Sequence, residues 1–203
     1  MFVTDKQRLH MILPQDQLPA FFPLFQQGVW LPVQVGCSVM DLLTGQFGVS
    51  KDYVIERITT LFLDGKAIDA PEASHVKDGA TLALSSAMPG LVGATMRRGG
   101  HLAAMRGAIT YRDQQQTASG SGRIKVKLFN MVMGELGAAL LAHGILLSRA
   151  GLEVFLGEQA DSFWQSLEAI SVDGRQSNPA EMKKHLHSSA LTGETFLKVE
   201  FKA

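Results

Sequence analysis

One thiol, Cys37, is present in 203 residues. It stands in Gly36-Cys37-Ser38 at the expected start of a helix, where free N–H groups and the positive helix end favour a thiolate nucleophile. The bland alternative is a small buried apolar side chain. Glu135 and His143 lie eight positions apart in an apolar stretch expected to be helical. That spacing allows one shared face, and a carboxylate with an imidazole is material for acid–base chemistry. His185 and His187 would share a face on a strand, as a metal pair requires, but diverge on the helix expected there. Lys183 and Lys184 beside them oppose a cation, so no metal site is expected. His75 and His101 have no supporting pattern. Arg97, Arg98, Arg106 and Arg112, with Tyr111, form the only basic cluster and read as a solvated joint.

Composition removes whole classes of function. Lys plus Arg and Asp plus Glu both count 19, so the formal net charge is zero. No basic surplus points to nucleic acid or to anionic lipid, and neither partner is expected. Weak charge repulsion leaves a homo-oligomer open. With one cysteine there is neither an internal disulfide nor a multi-thiolate zinc site. The first residues lack a basic stretch followed by a long apolar run, which suggests a cytoplasmic protein. The most apolar stretch, Val126 to Leu147, contains Lys127, Glu135 and His143. It reads as a buried strand followed by a buried helix, because ionised groups are costly in a bilayer. No phosphate-binding loop, dinucleotide fingerprint, serine elbow or zinc-protease helix occurs, and no cofactor is expected.

The elements that must position these residues alternate between strands and helices. Strands are expected at Leu9–Leu13, Val29–Val35, Thr60–Leu63, Thr81–Leu84, Leu102–Tyr111, Arg123–Phe129, Leu152–Leu156 and Phe196–Phe201. Ser38 is an expected N-cap, with Asp41 three residues on in a capping-box position, and Ser50 caps a second short helix. A long helix should run from about Asn130 to Ser148, with others at Asp161–Glu168 and after Pro179. Asp64-Gly65 and Asp173-Gly174 are tight-turn signals.

The chain also echoes itself. Asp64-Gly65-Lys66, Pro71 and Gly79-Ala80-Thr81 are answered by Asp173-Gly174-Arg175, Pro179 and Gly193-Glu194-Thr195. The echo places a boundary near Gly99-Gly100 and divides the chain into residues 1–98 and 101–203, the second read as a diverged repeat of the first.

Val29 to Gly90 resembles a ubiquitin-type β-grasp domain, nearest the sulfur-carrier branch: the small subunit of molybdopterin synthase and its thiamine-pathway relative. The matching segments are VQVGCSVMDLL, LFLDGKAID and VKDGATLALSSAMPG. RIKVKLFNMVMGELG, from Arg123 to Gly137, resembles the family's first strand and would belong to a second or permuted copy. The resemblance implies an α+β fold with a mixed sheet packed on a helix. In the carriers the chemistry resides in a free C-terminal Gly-Gly that becomes a thiocarboxylate. Here the corresponding position reads Ser86-Ala87-Met88-Pro89-Gly90 and the chain continues. Met96-Arg97-Arg98-Gly99-Gly100 looks like a ubiquitin-like tail, so Gly99 and Gly100 read either as a glycine joint or as a processing site. The expectation carried forward is a non-catalytic module binding a partner protein or small ligand. The alternatives are a processed carrier precursor and an enzyme with scattered residues.

Overall fold

The computed structural model describes residues 6–111, 118–185 and 193–202. In chain order its strands are β1 (Gln7–Pro14), β2 (Val29–Val35), β3 (Thr60–Leu63), β4 (Lys66–Ala67), β5 (Thr81–Ser85), β6 (Gly120–Phe129), β7 (Ile145–Ser148), β8 (Ala169–Val172), β9 (Arg175–Gln176) and β10 (Glu194–Lys202). The helices are α1 (Phe22–Gln27), α2 (Val39–Asp41), α3 (Lys51–Glu56), α4 (Gly90–Met96), α5 (Met131–His143), α6 (Arg149–Gly157), α7 (Asp161–Ser166) and α8 (Pro179–His185). The class is α+β, as expected.

The chain forms two compact units. One is Phe25–Gly137; the other combines Met1–Leu24 with Ala138–Ala203. We call them the inserted and the flanking unit. The sequence division at residues 98 and 101 does not coincide with them, because two strands pair away from their neighbours in sequence. β6 lies between β5 and β2 in the inserted unit, and β1 lies between β10 and β8 in the flanking unit.

In the inserted unit the strand order is β4-β3-β5-β6-β2. β5 and β6 run parallel, with Thr81 beside Lys125 and Leu82 beside Val126; the other pairings are antiparallel. Alternation gives this sheet one apolar face. Leu31, Leu61, Leu63, Leu82, Leu84, Ile124, Val126 and Leu128 are all essentially inaccessible to water. So are Leu42, Leu43 and Val54 of the helical segments and Ile58 just after α3. Each such side chain contributes about 1.5–3 kcal/mol relative to exposure. Ser38 caps α2 as its sequence signalled: its Oγ accepts from the Asp41 N–H at 3.0 Å and donates to Asp41 Oδ2 at 2.7 Å. The helix then widens over Leu42–Gln46, closed by the Phe47 N–H on the Leu42 carbonyl.

In the flanking unit the order is β7-β10-β1-β8-β9. β1 and β10 are the parallel pair, with Leu9 beside Leu197 and Met11 beside Val199. Phe21 anchors the aromatic side of this core, 5.0 Å from Phe155 and 6.1 Å from Phe163 between ring centres.

Three expected elements differ. Leu152–Leu156, expected as a strand, belongs to helix α6. Ser148 caps that helix, accepting from the Gly151 N–H at 3.1 Å, and Leu152, Phe155 and Leu156 form its buried stripe. The strand lies just before it, as β7, because Gly144 at φ +100° stops α5 at His143, five residues earlier than expected. Leu102–Tyr111, also expected as a strand, forms short 3₁₀ turns over Ala103–Ile109, kinked at Arg106. Its small residues offer no β-branched run before Ile109. The joint expected at Gly99-Gly100 follows α4 and lies inside the inserted unit.

The two units repeat several local geometries. Asp64-Gly65 and Asp173-Gly174 both have positive φ at both turn positions, 50° and 75° against 51° and 79°, as the two-residue hairpin of right-handed twist requires. Asp64 Oδ1 accepts from the Thr81 N–H and Asp173 Oδ1 from the Arg8 N–H, each at 2.8 Å. The backbone N–H of each aspartate returns a bond to the carbonyl of the same residue, again at 2.8 Å. Gly28 and Gly144, both at φ +100°, immediately precede β2 and β7.

Candidate functional site

The Cys37 thiol is half-buried and held by modest contacts. Its Sγ donates to the Gln34 carbonyl and accepts from Gln46 Nε2, both at 3.4 Å. Burial pushes its pKa up, away from a thiolate. The helix N–H groups that would stabilise an anion are already engaged. Val39 donates to the Ser74 carbonyl, Met40 to the Pro71 carbonyl, and Asp41 to Ser38 Oγ. The nucleophile expectation therefore finds no structural support.

Glu135 accepts from the Tyr53 hydroxyl at Oε2 and from Arg57 Nη2 at Oε1, both at 2.5 Å. Those two donors hold its carboxylate below the ordinary range. Burial, reinforced by the Glu135 bond and charge, holds the Tyr53 phenol well above its ordinary value. The carboxylate is thus a fixed, ionised acceptor rather than a poised base. His143 sits eight residues along α5, a rise of about 12 Å, too far for a direct bond to Glu135. The helix carries both residues but does not assemble them into an acid–base pair.

Two of the four arginines are structural rather than solvated. The Arg98 guanidinium donates to the Val54 and Ile55 carbonyls at 2.9 and 2.8 Å, capping the end of α3. Desolvation lowers its pKa. The Arg106 side chain is 2% exposed; it pairs with Asp69 at 2.5 Å and donates to the Thr95 carbonyl at 2.7 Å. Between these anchors Gly99, at φ +64°, and Gly100 form a turn, with the Gly100 N–H on the Arg97 carbonyl at 3.2 Å. Arg112 and His187 lie outside the described residues, and only the backbone of Lys184 and His185 is described. Among the described residues, no three His, Cys, Asp or Glu side chains form a group that could hold a metal ion. Likewise, no helix there is long and apolar enough to cross a membrane.

A different constellation stands on the outer face of the inserted unit's sheet. β6 alternates Ile124, Val126 and Leu128 toward the core with Arg123, Lys125 and Lys127 on the opposite face. Register brings Trp30 of β2 directly beside Lys125, and Thr81 of β5 beside it on the other side. Ala83 of β5 faces Lys127, and Phe62 of β3 faces Ala83. The Arg123 guanidinium lies 4.9 Å from the Trp30 ring centre and the Lys125 ammonium 5.5 Å, both within cation–π range.

Gly28 makes this arrangement possible. A Cβ there would stand 2.9 Å from Lys125 Cγ and Cδ and 3.0 Å from Lys127 Cγ, so both aliphatic stems lie flat over the glycine. The strand positions on this face carry no carboxylate. Asp78 stands at its end, where its Oδ1 accepts from the backbone N–H of Arg123 at 2.8 Å. The strand expected at Arg123–Phe129 is β6. The site as a whole was not legible in the sequence because Trp30, Thr81 and Phe62 come from distant positions. No protein-family model, curated protein or solved structure matches the chain.

Proposed function

We propose that this chain is a non-catalytic binding protein, and that its binding surface is the sheet face bearing Trp30, Arg123, Lys125 and Lys127. The observation carrying this reading is a row of three cations on alternate positions of one strand, laid against a tryptophan and free of carboxylates on its own strands. Such a surface attracts an anionic ligand and offers it an apolar platform. The engaged states of Cys37 and Glu135 support a binding rather than a catalytic role.

The two units are read as diverged copies of one β-grasp-type domain. The paired Asp-Gly turns, with matching bonds to Thr81 and Arg8, support that relationship. In this reading β6 supplies the first strand of the inserted copy from a later point in the chain, consistent with the resemblance of Arg123–Phe129 to that strand.

Retention of the full chain on immobilised heparin at pH 7 tests the binding reading. A protein of zero formal net charge is held there only through a local patch. The wild type should be retained and K125E/K127E should not, while K198E in the flanking unit should behave as wild type. Equal elution of all three would overturn the proposal.

A further inference from the structure

We infer that the ligand of this face is a single strand of nucleic acid, bound by phosphates along β6 and by a base stacked on Trp30. The inference rests on the binding face proposed above and names its occupant. Cations two residues apart on a strand stand about 7 Å apart, comparable to successive phosphates in a stretched single strand. Arg123, Lys125 and Lys127 provide three such positions in a row. A duplex presents its phosphates on a curved surface and hides its bases, whereas a flat sheet face suits splayed bases.

Trp30 supplies the stacking surface, and Phe62 lies further across the same face, beyond Ala83. Both cations near the Trp30 ring are already held against it. A base taking the place of Lys125 over the indole would turn its ammonium toward a phosphate. Arrival of a strand therefore exchanges one stacked partner for another and leaves no charge stranded. Thr81, in register with Lys125, adds a hydroxyl beside the phosphate track. An acidic peptide would use the same cations but would gain little from the indole, and this separates the two occupants. None of these contacts reads a base edge, so sequence preference should be weak.

The test is fluorescence anisotropy with labelled 12-nucleotide single-stranded RNA and DNA, a DNA duplex of that length and poly-glutamate, using the full chain. Single strands should bind more tightly than duplex or poly-glutamate. W30L should weaken single-strand binding about five- to a hundredfold. K125Q/K127Q should reduce the salt slope of log affinity by about 1.4, two phosphate contacts at ~0.7 each. Unfolding midpoints of the variants identify loss by misfolding, and K127Q alone, which keeps the tryptophan, should still reduce the slope by about 0.7. Preference between RNA and DNA would assign the source of the strand. Heparin retention without single-strand binding would overturn this inference and leave the binding face standing. Poly-glutamate binding equal to that of single strands, and unaffected by W30L, would overturn it in favour of an acidic protein partner. Loss of heparin retention as well would overturn both.

Discussion

β6 and β10 hold the same place in their respective sheets. Each is the parallel partner of a strand tied to an Asp-Gly turn, and each lies beside a short strand that follows a glycine at φ +100°. Their inward positions are interchangeable in kind: Ile124, Val126 and Leu128 against Leu197 and Val199. Their outward positions are not. β6 presents Arg123, Lys125 and Lys127 with no acid among them. β10 presents Lys198 and Glu200 paired at 2.7 Å, with His10 of β1 3.4 Å from Glu200, while Lys202 meets Glu168 and Lys6 meets Glu194. One outer face pairs cations with carboxylates of its own strands, and the described strand positions of the other carry no carboxylate. A fold constrains its buried alternation tightly and its outer face hardly at all, so two similar units differ most on that face.

The glycines before β2 and β7 give the sharpest test of that equivalence. At Gly144 a Cβ would fall 2.0 Å from Phe196 Cζ, on top of a backbone conformation that disfavours any side chain. At Gly28 the same Cβ meets only flexible lysine stems. G144A should cost upwards of about 3 kcal/mol, and G28A about 1–2 kcal/mol. Urea unfolding compares them, and a larger loss for G28A would break the parallel between the positions. The turn aspartates come next. D64A and D173A each remove one side-chain acceptor at a positive-φ position, and each should cost about 1–2 kcal/mol. Equal losses sustain the equivalence of β5 and β1; a loss confined to one would undo it.

A83E asks whether the difference between the outer faces is only one of pairing. It places a carboxylate beside Lys127, as Glu200 stands beside Lys198. Heparin retention should fall while stability stays within about 0.5 kcal/mol of wild type. Retention unchanged would mean that the cations of β6 are not what the matrix senses.

The smallest expected effect concerns Glu135. Its folded-state pKa lies below the ordinary value of 4.5 because Tyr53 and Arg57 donate to it. Its contribution is therefore complete above that value and is lost as pH falls through the depressed one. The stability gap between wild type and E135Q should close on acidification across that window. A gap constant with pH would mean that the carboxylate charge plays no part.

Much of the local structure was legible in the sequence. Ser38 and Ser50 cap the helices they were expected to cap, the Asp-Gly turns form hairpins, and most strands begin and end within a few residues of expectation. These features depend on neighbours only a few residues away. What escaped depends on distance. Alternation in β6 and β1 says that each needs an apolar sheet face but not which one, so the exchange of partners left no local trace. Arg98 and Arg106 looked solvated because their acceptors, the Val54 and Ile55 carbonyls and Asp69, lie up to 44 residues away. Zero net charge described the whole chain correctly and concealed a strand whose outward charged positions, Arg123, Lys125 and Lys127, are all cationic. Trp30 and Lys125 meet across 95 positions, so neither residue signalled the other.

The pairing of β1 with β10 also sets a clock. Gln7 and Thr195 are register partners 188 positions apart. At about 5–20 residues per second, a ribosome needs on the order of ten to forty seconds to travel from one to the other. For most of that interval, until β8 emerges, Leu9, Met11 and Leu13, which end fully buried, have no partner strand. The inserted unit, complete once Gly137 has emerged, can fold first, while the flanking unit must hold its opening strand in reserve.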